Sequence, residues 1–427
     1  MLTLNSEKQL TIPILLKDLY SDNLEIVSYQ TKRFEKLIKR FNEVFGSQPV
    51  RYFSTPGRTE ISGNHTDHNH GMVIAASINL DSIACVSEAD LVVEIFSEGY
   101  ENPFTVNLDN LNPIDAETGT TNALIRGIAF RFIEKGFNVG GFNACITSDV
   151  LQGSGLSSSA SIEVLIGTIF NHLYNDGKIS QEEIAKIGQY AENVYFKKPC
   201  GLMDQMACAI GGIISIDFYN PETPVINKID FEFTTQDYSL IIIHTGGSHI
   251  NLTDDYASIP KEMKKVAAEL GKQNCGEVDY KIFLNNIKNL RNKISDRAIL
   301  RGYHFFKENE RVKNQIEALR IKEFNKFLSI VNETGNSSFK YLQNIYSSND
   351  FNYQPVSIAL SFTEDFINRV GQGACRVHGG GFEGTIQVYL KNSFIDEFIK
   401  YISGISETFK VLNLSIRQTG TTEVIID

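Results

Sequence analysis

Residues 151–163 read Leu151-Gln152-Gly153-Ser154-Gly155-Leu156-Ser157-Ser158-Ser159-Ala160-Ser161-Ile162-Glu163, and the apolar run continues through Val164-Leu165-Ile166. The two glycines free the backbone and let a ligand come close. The serines favour a helix start, because a hydroxyl can accept from a free N–H of the first turn. A helix beginning here directs unpaired N–H groups and the positive end of its dipole into the loop, which makes a cradle for phosphate. A solvated glycine-serine linker is the competing reading. The flanks count against it: Phe142 to Thr147 reads as a strand entering the loop, and Ser159 to Leu173 as a helix leaving it. Strand, glycine loop, helix is the setting a phosphate loop needs. No Lys follows the second glycine, so the loop is not of the Walker type, and it does not match the dinucleotide pattern either.

Working outward, 427 residues allow two domains, each with a substantial core. A net charge of -11 disfavours nucleic acid as a partner, yet leaves room for a small anion held by a local basic residue. No apolar run approaches the ~20 residues of a membrane span. The opening Met1-Leu2-Thr3-Leu4-Asn5-Ser6-Glu7-Lys8 lacks the basic-then-apolar pattern of a signal peptide. The expectation is a cytoplasmic protein without a membrane partner, monomeric or weakly dimeric. The cysteines at 85, 145, 200, 208, 275 and 375 show no paired metal spacing and read as reduced, mostly buried thiols.

Three regions are expected: a helical extension over 1–46, an N-terminal domain over 47–230 and a C-terminal domain over 231–427. Leu24 to Phe45 has helical spacing and stops at Gly46. Arg51 to Thr55 reads as a strand that Pro56-Gly57 breaks. Met72 to Ala76, Ser82 to Val86 and Leu91 to Phe96 read as separate strands. Several helices are expected over roughly 258–345, then strands around the glycine loop His378-Gly379-Gly380-Gly381-Phe382-Glu383-Gly384, and a last strand at Glu423 to Ile426. Strands and helices without strict alternation indicate the α+β class.

Three places carry candidate chemistry. The loop from Arg58 to Gly71 holds His65, His68, His70 and Asp67. A transition metal, and with it a metal-dependent hydrolase, is one reading. The spacing matches no helical two-His motif, and a polar loop that recognises a hydroxyl-rich ligand explains the mixture of Asn, His, Thr and Asp better. Asp204 lies among Met203, Met206, Ala207 and Ala209. A carboxylate buried there needs a partner, and Arg58 is the natural one; the pair would keep Asp204 ionised or poise it as a base. Glu192 is a candidate Mg²⁺ ligand beside the phosphate loop, with a solvated helix face as the alternative.

Together these motifs resemble the GHMP small-molecule kinases, and among them the galactokinases. Pro56-Gly57-Arg58 through Gly63-Asn64-His65-Thr66-Asp67-His68-Asn69 is similar to the family's sugar-binding signature. Gly155-Leu156-Ser157-Ser158-Ser159-Ala160-Ser161 is similar to its phosphate loop, and Gly379 to Gly384 to its C-terminal glycine loop. Cys200-Gly201-Leu202-Met203-Asp204-Gln205 resembles the segment with the catalytic Asp. The resemblance implies a two-domain fold, with an N-terminal domain like domain 2 of ribosomal protein S5, a ferredoxin-like C-terminal domain and the site between them. It implies ATP and Mg²⁺, and phosphoryl transfer to the anomeric hydroxyl of a monosaccharide, with galactose foremost. By the same resemblance Asp204 is the base and Arg58 its partner. Asn64, His65, Asp67, Gly201 and Tyr256 meet the sugar; Gly153, Ser154, Gly155, Leu156, Ser157, Ser158 and Ser159 meet ATP; Ser159 and Glu192 hold Mg²⁺.

The departures bear on substrate. Galactokinases usually carry Glu where this chain has Asn64, and Tyr where it has His68. Asn64 removes a negative charge near carbon 6 of the sugar, which would make a uronic acid such as galacturonate more tolerable. A sugar and ATP sensor without turnover on the same scaffold is the other alternative.

Overall fold

The computed structural model describes residues 14–20, 23–151, 153, 155–246, 252–382 and 384–426. Its strands are β1 (Ile14–Leu15), β2 (Arg51–Ser62), β3 (Met72–Ala89), β4 (Val92–Ser97), β5 (Phe104–Asn107), β6 (Gly141–Ser148) and β7 (Ile213–Asp217). They continue with β8 (Val225–Ile229), β9 (Tyr238–His244), β10 (Ala374–His378), β11 (Thr385–Lys391), β12 (Lys410–Leu414) and β13 (Thr422–Ile425). A nine-stranded sheet runs β1-β13-β2-β3-β6-β4-β5, with β7 pairing the start of β3 and β8 pairing β7. A four-stranded antiparallel sheet runs β10-β11-β9-β12.

Successive strand residues face opposite ways, and the cores follow that period of two. On β3, Ala84 and Val86 enter the main core with the helices Thr121–Glu134 and Ser158–Tyr174, whereas Ile83 and Cys85 pack under Phe34, Leu37 and Phe41 of the helix Leu24–Phe45. On β9, Ile241 and Ile243 meet Val356 and Phe366 of the helix Pro355–Val370. Leu240 and Ile242 turn the other way, into a core shared with Ile61, Ile74 and Ile213 of the first sheet and with Val312 and Leu319 of the helix Asp296–Arg320. That shared core joins the two halves. No helix among the described residues is long and apolar enough to cross a membrane.

Two strand readings differ from the expectations. Pro56-Gly57 does not break its strand; β2 runs through it with a register shift between Pro56 and Arg58. Pairing with β13 ends at Ser54, so the proline sits beyond that neighbour, and a bulge turns the next side chain without ending the strand. The two segments at 72–76 and 82–86 are one strand, β3. Its interruption in the sequence, Asp81, is fully buried and answered by Arg33 at 2.7 Å and Arg417 at 3.0 Å. The boundary at 230/231 falls between β8 and β9, but β13 returns across it to pair with β2.

That return is held by a bidentate pair. Arg51 Nε and Nη2 donate to Glu423 Oε1 and Oε2 at 2.6 and 2.7 Å, and His172 Nδ1 lies 3.2 Å from Oε2. Burial alone would raise the Glu423 pKa; the bonds from Arg51 and His172 overcome it and bring it down to about 2. Because the folded value lies below the ordinary 4.5, the stabilisation is full above that pH and is lost as pH falls toward 2. Glu423→Gln is expected to cost ~2 kcal/mol at neutral pH, with a deficit that shrinks once the pH drops below the ordinary carboxyl range. Chemical denaturation of both proteins across that range checks it; a deficit independent of pH would refute the assignment.

Candidate active site

The loop after β6 is shaped by positive φ angles at Gly153 (73°), Gly155 (71°) and Ser157 (60°). Leu156 is fully buried and anchors the loop, and its carbonyl accepts from the Arg58 N–H at 3.0 Å. A Cβ on Gly57 would lie 2.9 Å from that carbonyl and from Val150 Cγ1, so the Pro-Gly bulge lets the loop close onto β2. Ser157 caps the helix Ser158–Tyr174 without bonding its N–H groups; its hydroxyl goes instead to Asp204 Oδ2. The first-turn N–H groups are left to face a cavity of about 1080 Å³. Gly153, Gly155, Ser157, Ser158, Ser159, Arg58, Lys198 and Asp204 line that cavity together with Tyr100, Phe104, Leu124 and Phe196. Ser154 lies outside the described residues, as does Glu383 of the second glycine loop.

Arg58 and Asp204 meet side-on. Nε donates to Oδ1 and Nη2 to Oδ2, both at 2.8 Å, while Nη1 donates to the Gly155 carbonyl at 2.5 Å. Burial would raise the Asp204 pKa, but the Arg58 charge and bonds, the Ser157 hydroxyl and Lys198 hold it below the usual carboxylate value. Asp204 is therefore ionised, with 32% of its side chain still open.

Glu192 sits in a π-turn, Ala191–Tyr195, that extends the helix Gln181–Tyr190. Its Oε1 takes Lys198 Nζ at 3.1 Å and Ser159 Oγ at 3.4 Å. Gln205 Nε2 donates at 2.9 Å to both Glu192 Oε2 and Glu163 Oε2. Burial and the Glu192 charge push Glu163 well above the carboxylate range. Glu163, Gln205 and Lys198 were given no role from sequence. The available signal was an acid inside the apolar run 162–166, where a lone ionised carboxylate is unfavourable.

On the other side of Asp204, the loop after β2 makes a 3₁₀ turn over Asp67–Asn69. Asp67 Oδ2 lies where a Gly201 side chain would begin, so a larger residue there would displace the Asp67 carboxylate. His65 Nε2 donates to the Gly380 carbonyl at 3.1 Å, and burial lowers its pKa to about 4. Tyr256 donates to the Gly381 carbonyl at 3.3 Å, packs edge-on to Phe382 at 5.2 Å and fills the space a Gly380 side chain would take. Asn64 is fully buried; its amide group spans Glu60, Gly379 and Asn344. His304 and Glu308 hold the loop from below, through the Asn64 carbonyl at 3.0 Å and the Gly63 N–H at 3.1 Å. Among the described residues no group of three or more His, Cys, Asp or Glu side chains converges to hold an ion.

Residues 39–88 match the galactokinase galactose-binding signature, and residues 123–212 match the GHMP kinases N terminal domain. A galactokinase from Pyrococcus furiosus is 30% identical over 335 residues, covering 78% of this chain and 86% of that protein. The chain belongs to the galactokinase family. A further galactokinase, from Clostridium tetani, is 29% identical over 381 residues, covering 86% of this chain and 91% of that protein. The crystal structure of Lactococcus lactis galactokinase complexed with galactose has the same fold, with a TM-score of 0.79 at 23% identity over 91% of this chain and 99% of that one. A crystal structure of mevalonate kinase aligns with a TM-score of 0.62 at 17% identity, over 86% of this chain and 99% of that one, as the wider two-domain GHMP α+β fold requires.

The packing of Tyr256 against Gly380 yields a structural prediction for the galactokinase fold. Gly380→Ala places a methyl group where the Tyr256 ring lies and is expected to cost about 1–3 kcal/mol. Denaturant unfolding tests this; an unchanged midpoint would show that the ring moves freely.

Proposed function

We propose that this chain transfers the γ-phosphoryl group of ATP to the anomeric hydroxyl of galactose. The observation that carries the reading is the side-on Arg58–Asp204 pair, placed between the serine-loop cavity and the Asp67–Gly201 contact. ATP lies in the cavity, its phosphates against the N–H groups of Gly155 to Ser159. The sugar lies against Asp67, Gly201, His65 and Tyr256, with its reacting hydroxyl at Asp204.

Phosphoryl transfer asks a protein mainly for alignment and charge neutralisation. Asp204, ionised and locked by two bonds from Arg58, orients the hydroxyl and accepts its proton as the bond to phosphorus forms. A depressed pKa suits this order of events, because a loose transition state needs little proton removal beforehand. Ser159 Oγ and Glu192 Oε1 fit Mg²⁺: they are a hydroxyl and a buried carboxylate 3.4 Å apart, and Glu192 already faces the Lys198 ammonium. Bound there, Mg²⁺ supplies charge neutralisation at the phosphates. Gln205 fixes the far oxygen of Glu192, which leaves Oε1 toward Ser159 and Lys198, two residues that line the cavity.

Purified protein is expected to release ADP most efficiently with galactose in a panel that also holds glucose, galactosamine and galacturonate. No ADP with any of them would defeat the kinase reading, and preference for the uronate would transfer it to that substrate. Asp204→Asn should lower kcat by about 10²–10⁴-fold while the KM for ATP stays close to wild type. Near-normal turnover in that variant would remove Asp204 from the chemistry.

A further inference from the structure

Beneath the loop after β2 lies a buried polar junction between the two sheets. Glu60 on β2, Asn64 just after it, and Arg376 on β10 are all buried, at 3%, 0% and 0% exposure. Glu60 Oε1 accepts from Arg376 Nη2 at 2.7 Å and from Asn64 Nδ2 at 3.0 Å. The second Asn64 amide hydrogen goes to the Gly379 carbonyl at 2.6 Å, and Asn64 Oδ1 accepts from Asn344 Nδ2 at 2.8 Å. Asn344 Nδ2 also reaches the Gly380 carbonyl at 3.2 Å. The two glycine carbonyls can only accept, which fixes which end of each amide faces them. Every hydrogen of the Asn64 amide is thus spent on the protein, and none remains for a ligand.

We propose that Glu60 and Asn64 are one positioning unit, a carboxylate–amide pair carrying a single negative charge, which fixes the loop of His65 and Asp67 onto Gly379–Gly381. The argument is one of charge and donors. Arg376 is the cation bonded to this junction; Arg58, which also bears on Glu60, is already paired with Asp204. A carboxylate at 64 beside the one at 60 would set two like charges in contact away from water, and would also turn an acceptor toward the Gly379 carbonyl. Position 64 is therefore an amide because position 60 is an acid. The residue reaches the sugar only through its neighbour: His65 follows directly and lands on the next carbonyl, Gly380. The effect on sugar turnover rests on the kinase reading above; the pairing itself does not.

A double-mutant cycle tests the unit, with wild type, Asn64→Asp, Glu60→Gln and the two changes combined. Asn64→Asp is expected to lower kcat/KM for the sugar at least about tenfold while the KM for ATP stays within about twofold, and its cost should shrink by about tenfold when residue 60 is Gln. Denaturant midpoints of the four proteins read the same coupling without turnover. If Asn64→Asp fails to fold while the combined variant folds, the coupling stands at its strongest. Equal losses in both backgrounds, a combined variant that does not fold, or an ATP KM that rises along with the sugar's would overturn the proposal. A wild-type protein inert on every sugar, with the coupling present in unfolding, would remove the kinase reading and leave the pair standing.

Discussion

The side-on contact between Arg58 and Asp204 sets the terms for the rest of the site. An arginine and a carboxylate that leave water together recover the loss only if the geometry is good and the remaining donors are used. Here each requirement has a structural source. The Pro56-Gly57 bulge turns Arg58 across the sheet and leaves room for the loop at Leu156. The Gly155 carbonyl takes the third guanidinium donor, and Ser157, held at positive φ, gives its hydroxyl to Asp204. The helix Met203–Ile210 carries the acid into the cavity from a fully apolar face of Met206, Ala207 and Ala209. One ion pair therefore draws β2, the serine loop and a helix 146 residues away in sequence into a single alignment.

Much of this was legible in sequence. The serine loop between strand and helix, the Asp204 segment and the second glycine loop each stand out because glycine and serine have local conformational meaning. Helix Leu24–Phe45 follows from period alone. What was not legible depends on partners far along the chain. Pro56-Gly57 reads as a break because the rule for Pro and Gly is local, while the bulge is a response to Leu156 and Val150. Asp81 reads as a gap between strands because nothing nearby shows that Arg33 and Arg417 converge on it. Asn64 is a sugar contact by resemblance, and the bonds of its amide to Glu60, Gly379 and Asn344 lie with partners the local sequence does not reveal.

Three histidines around the loop after β2 act as neutral hydrogen-bonding groups. His65, His304 and His378 all have lowered pKa values, chiefly from burial, and are neutral at pH 7. Their tautomers follow from their partners. His304 Nε2 faces the Asn64 carbonyl and so carries the proton, leaving Nδ1 to accept from Ser337. His378 Nε2 receives the Glu60 N–H, so its proton is on Nδ1, toward Thr385. A neutral imidazole with one donor and one acceptor is well suited to joining two backbone segments. These rings splice the sugar-side loop, the long helix Asp296–Arg320 and the second sheet, and that work leaves no ring nitrogen of His304 or His378 for an ion.

The same logic separates the acids around the cavity. Glu163 is fully buried and Asp204 partly open; Asp204 has Arg58 in direct contact, whereas Glu163 has Gln205, a neighbouring carboxylate and the more distant Lys198. One pKa is driven down and the other up, and environments that drive two carboxyl groups apart assign them different tasks. Asp204 is the permanent anion and can face a hydroxyl. Glu163, whose proton is held more tightly because of burial and the Glu192 charge, is joined to Glu192 through the Gln205 amide. The cavity thus carries the serine hydroxyls, the Lys198 ammonium and a helix N-terminus beside the Arg58–Asp204 pair.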